Sequence, residues 1–210
     1  MNLKDFLYLW KDALIHPKET FQKEKGNASL RKAIMNVLIA GIIPGIFILV
    51  FQAFILSEIT KVVAPIFNIP PFGFFELFLF LFVFFLIAYI FHLLIISFIL
   101  FISAKILQGN GSFTTQTYLI SIFFAPLILI SIFNLIPVLN FFTSIVIGIY
   151  SLYLLTLSLQ ETHEFSTLKA VLTWLIPGIL FVILIVLFVG ILMISLPRVF
   201  LFLISILRGT

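Results

Sequence analysis

Five long apolar stretches dominate the chain, separated by short polar segments. They run from about Ala33 to Leu56, Phe74 to Leu107, Tyr118 to Ile136, Phe141 to Leu159 and Leu168 to Ile194. A helix needs about 20 apolar residues to cross hydrocarbon, so each stretch is long enough. Lipid offers no partner to backbone N–H and C=O groups, so the spans must be helices despite their Phe, Ile and Val content. Pro44 interrupts the first span, Pro126 lies in the third and Pro177-Gly178 in the fifth. The second span exceeds the bilayer and must tilt or project. Lys105–Thr117 reads as a polar loop, and Asn134, Pro137 and Asn140 mark a tight turn. Gln160–Thr167, with Glu161, His163 and Glu164, reads as a solvated turn.

The ends differ from the middle. Leu3, Phe6, Leu7, Trp10 and Leu14 recur at helical spacing, with Lys4, Asp5, Lys11 and Asp12 toward the other sides. Pro17 ends this helix and can open a second, which Gly26 closes. An aromatic face flanked by lysines suits the headgroup plane, so Lys4, Trp10 and Lys11 are expected to face lipid. At the other end, nine residues separate Arg198 from Arg208, too few to cross, so the tail is expected to be a short interfacial helix. The reading is thus all-α: a polytopic helical bundle of five transmembrane helices with an interfacial helix at each end. Its parts are an arm at 1–32, a membrane domain at 33–194 and a tail at 195–210.

Composition sharpens this. Of 210 residues, 63% are hydrophobic and 10% charged, against about 25% charged in soluble domains. A soluble globular enzyme and a disordered chain are both excluded. There is no cysteine, which removes disulfides, thiol nucleophiles and thiolate metal sites. The net charge of +4 is placed unevenly, with seven of twelve basic residues in the first 32 positions. With the N-terminus in the cytoplasm, that side gathers nine basic residues and the opposite side Lys61, Arg198 and Arg208. The positive-inside rule therefore favours a multi-pass protein of the cell membrane, N-terminus cytoplasmic and C-terminus outside. The basic balance reflects orientation and anionic lipid at the arm, not nucleic acid.

Candidate chemistry is sparse. Glu58 and Glu76 lie at span ends, and no acid falls at mid-depth, which weighs against an ion-coupled carrier. His92 is the one titratable group near the middle of a span, with Tyr89 on the same face and Asn134 as a further polar group. A lone histidine makes a poor metal site, so His92 is expected to be neutral and hydrogen-bonded to a neighbouring helix. Zinc-helix and nucleophile-elbow motifs are missing, so no catalytic residue, cofactor or metal is expected. Gly41 and Gly45, and Gly148 between Ser144 and Ser151, offer close helix packing and allow homo-oligomers.

Two stretches carry a family resemblance. One is Leu107-Gln108-Gly109-Asn110-Gly111-Ser112-Phe113, leading to Pro126. The other runs from Tyr150-Ser151-Leu152-Tyr153 through Leu159-Gln160-Glu161-Thr162-His163 to Lys169-Ala170. With His16-Pro17 and Phe21 in the arm, the chain resembles the Yip domain family of Ypt/Rab-interacting membrane proteins, in its prokaryotic form. Gln108 stands where the family has a glycine. The resemblance implies five spans, a cytosolic N-terminus and no catalytic residues. The first reading is a non-enzymatic membrane-organising or protein-interaction scaffold, with the protein partner unknown. The alternative is a small-solute or ion transporter with spans kinked at Pro44, Pro126 and Pro177.

Overall fold

Seven α-helices build the described part of the protein, which in a computed structural model covers residues 2–68, 70–130, 133 and 136–207, side chains included except at 137, 194 and 196–207. They are α1 (Leu3–Ile15), α2 (Pro17–Glu24), α3 (Leu30–Val63), α4 (Phe74–Ile106), α5 (Phe113–Ile130), α6 (Pro137–His163) and α7 (Thr167–Leu207). Among the described residues there is no strand, and α3 to α7 are the five helices long and apolar enough to cross a membrane.

Local chemistry sets the helix starts. Asn2 caps α1 by accepting from the Asp5 amide while Asp5 reaches back to the Asn2 amide, a reciprocal capping box. Pro17 opens α2, where its missing N–H costs nothing. Ser29 caps α3 through the Lys32 amide. Ser112 accepts from the Thr115 amide, so α5 begins at Phe113. The polar loop expected to reach Thr117 is therefore shorter, because a serine cap holds Phe113–Thr117 as a helical turn.

Two further expectations change. Pro44 does not interrupt α3, which runs unbroken from Leu30 to Val63 with Pro44 buried inside it. Position 195 brings no break either: the tail is helical as far as Leu207 but continuous with the fifth span. Asn134 lies outside the described residues.

The core is centred on α5, which packs on α3, α4 and α6. Gly41 lets α4 come close to α3, since a Cβ there would stand 2.9 Å from Tyr89, whereas a Cβ on Gly45 would make ordinary contact with Phe82 at 3.6 Å. Tyr89 fills the space at Gly41. Gly148, by contrast, faces no atom within 4 Å. Helix α7 packs on α4 and α6 near its start, where Trp174 donates to the Thr156 hydroxyl at 3.0 Å. From Leu175 to Met193, nearly every α7 side chain is exposed, an apolar rod that only lipid or protein can cover.

Candidate functional site

The polar groups of the chain converge at the end where the arm, the α4–α5 loop and the α6–α7 turn meet. The arm is docked on the bundle. Phe6, Trp10 and Ala13 of α1 are buried, with Trp10 only 3% exposed. Trp10 Nε1 donates to Asn36 Oδ1 at 2.9 Å, and Asn36 Nδ2 donates to Ser121 Oγ at 2.9 Å. One relay thus ties α1 to α3 and α5. Tyr118 of α5 donates to Glu24 Oε2 at 2.7 Å, and Tyr150 of α6 donates to the Leu14 carbonyl. Phe21 of α2 is fully buried and packs against Phe123.

Trp10 therefore does not face lipid. Its indole N–H, once desolvated, needs an acceptor, and Asn36 supplies one inside the protein. The outer side of α1 keeps Leu3 and Leu7 exposed, with Lys4 and Lys11 also exposed. Its acidic side, with Asp5 and Asp12, lines a groove of about 610 Å³ together with Glu19, Lys23, Glu24 and Lys32.

The second part of the site is a locked loop. His163 is 1% exposed at the end of α6, so it is not part of a solvated turn; Glu164, Ser166 and Thr167 are exposed, as expected of that stretch. The Gly111 amide donates to His163 Nδ1 at 3.1 Å. Nε2 then carries the ring proton and donates to Gln116 Oε1 at 2.8 Å, while Gln116 Nε2 donates to the Ser97 carbonyl at 2.7 Å. Protonating His163 would set two N–H groups against each other at Gly111, so the ring is neutral.

Close approach explains the glycines. A Cβ on Gly109 would stand 2.6 Å from His163 Nδ1, and one on Gly111 2.4 Å from the Thr162 carbonyl oxygen. Lys105 donates to the Gly109 carbonyl at 2.9 Å and Lys169 to the Leu107 carbonyl at 3.3 Å, neutralising the carbonyl end of α4. Exposed Lys25 and Glu164 pair at 3.4 Å, linking the arm to the α6–α7 turn, a contact of small energetic weight at that exposure.

The residues singled out from sequence divide. Gly109, Gly111, Ser112 and Phe113 belong to the locked loop, and Pro126 is buried in α5 behind it. Tyr89 and His92 are parted: Tyr89 packs at Gly41 toward α3, whereas His92 stacks on Phe124 of α5 at 5.5 Å. No hydrogen bond reaches His92 among the described residues, contrary to the expected neighbour-helix partner. Asn36, Gln116 and Ser121 escape a sequence reading, although a lone Asn amid Ala33, Val37 and Ala40 is a signal that a span's inner face holds a polar bond. Among the described residues no cluster of three metal-ligating side chains occurs.

Among known families, the Yip1 domain family model matches residues 11–190. No curated protein and no solved structure matches the chain.

Proposed function

The chain belongs to the Yip1 domain family, and from that premise we propose that it is a non-enzymatic membrane-organising scaffold whose docked arm and locked loop form one cytoplasmic contact platform. The observation that carries this reading is the linkage of three separate segments into one surface. The Trp10–Asn36–Ser121 relay holds the arm, and the Gly111–His163–Gln116 relay holds the loop. A platform for a protein partner needs a fixed shape, because ordering a mobile surface on binding lowers affinity. The charged groove beside α1 offers that platform a feature a partner can recognise.

The same end bears on orientation. The arm's seven basic residues, Lys105 and Lys169 all lie on segments joined by these contacts, which supports a cytoplasmic N-terminus. Leu3 and Leu7 beside Lys4 and Lys11 give α1 an outer edge suited to anionic lipid, each nearby lysine contributing roughly 1 kcal/mol at low salt.

Site-specific photo-crosslinking in native membranes tests the proposal. A photoreactive residue at Tyr8 or at Asn110 is expected to capture the same protein, and one at Phe75, at the opposite end of the bundle, is not. Different adducts from the two platform positions, or none from either, would overturn it. Solute uptake by proteoliposomes that persists in the absence of any adduct would favour a transporter instead.

A further inference from the structure

Beneath the platform, inside the membrane domain, α4, α5 and α6 enclose a groove of about 360 Å³. Its walls are formed by side chains such as Phe124, Leu127, Ile147 and Leu155, and among the described residues its polar side chains are His92 and Ser151. His92 lies 16 residues after Glu76 and 13 before Lys105 on α4, roughly 24 Å and 20 Å along the axis. It therefore sits near mid-depth, and as an exposed residue of a spanning helix it would meet hydrocarbon there instead of water.

That position leaves a polar group unsatisfied. Phe124 covers a face of the ring, but the ring nitrogens receive no hydrogen bond among the described residues. An unpaired polar group in hydrocarbon is costly, so a partner that meets it there binds with a ready advantage. At that depth the partner must be uncharged. The bonding pattern narrows it further. Ser151 already donates its hydroxyl proton to the Gly148 carbonyl at 2.8 Å, so its oxygen is left to accept. A neutral imidazole offers one donor and one acceptor. A ketone or ester can only accept, whereas a hydroxyl can take the His92 N–H and give its own proton to Ser151.

We propose that this groove binds an uncharged, long-chain hydroxylated lipophile drawn from the bilayer, its chain along the apolar wall and its hydroxyl between His92 and Ser151. The site is separate from the platform and independent of the scaffold reading, since it needs neither a protein partner nor a particular orientation.

The probe is a sixteen-carbon alcohol carrying a diazirine on its chain, added to the full-length protein in phosphatidylcholine vesicles and photolysed. Mapped adducts are expected on the facing walls of α4, α5 and α6. Excess unlabelled hexadecanol should suppress them, and hexadecane, which has the chain but not the hydroxyl, should not. His92→Leu should lower the adduct yield roughly fivefold, the worth of one net hydrogen bond. Ser151→Ala gives the same reading with little change in volume and decides the matter if His92→Leu does not fold. Equal competition by hexadecane, adducts spread evenly over the exposed face of α7, or wild-type labelling by both variants would overturn the assignment.

Discussion

At position 108 the backbone has a φ of 66°, a left-handed conformation that disfavours any residue with a Cβ. The chain carries Gln there, immediately before a glycine that could not bear a side chain at all. Positions 108 and 111 respond oppositely to substitution. Gln108→Gly is expected to raise thermal stability by about 1 kcal/mol through relief of the left-handed penalty. Gly111→Ala is expected to lower it by about 1–3 kcal/mol, since its Cβ would meet the rigid Thr162 carbonyl. Melting curves of both variants in the same lipid nanodisc check the pair, and equal or reversed shifts would refute the locked-loop geometry. The glycine pattern is legible in the sequence, but its cause is not. His163 lies 52 residues from Gly111, and nothing local to either segment shows that one closes on the other. A still longer separation, 85 residues, hides Asn36 and Ser121 as partners.

Among the elements, the arm shows where a sequence pattern has two physical readings. An apolar helix face with an aromatic residue and flanking lysines satisfies a bilayer surface and a protein core equally well. Burial of Trp10 against Asn36 decides for the core, while Leu3 and Leu7 at the edge of that face stay open. The five spans are legible for the opposite reason: hydrocarbon permits one backbone solution, so length and apolarity suffice. Helix ends are less so. Ser112 extends α5 by a turn, and α7 passes the polar residues after Ile194 without stopping. The arm has a direct optical test. Trp10 and Trp174 are the two tryptophans, so Trp174→Phe isolates Trp10. Brominated lipids are expected to leave its fluorescence nearly unquenched, and adding Asn36→Leu should increase the quenching as the indole loses its acceptor. Strong quenching before that second change would return the arm to the headgroup plane.

As a whole molecule, the protein has two unlike ends. One gathers the arm, the locked loop, the α6–α7 turn and nine basic residues. The other holds the α3–α4 connection, where Lys61 pairs with Glu58 at 2.6 Å and Thr60 donates to the Phe72 carbonyl. The scaffold reading requires the first end to face the cytoplasm, where basic residues are retained. The absence of cysteine makes this directly measurable, because any introduced thiol is unique. Single cysteines replacing exposed Lys18, Asn110, Ser166 and Asn68 can be challenged with a membrane-impermeant maleimide in intact and permeabilised cells. The account predicts labelling at position 68 in intact cells, and at positions 18, 110 and 166 only after permeabilisation. Labelling of 18, 110 and 166 in intact cells would place the platform outside and contradict it.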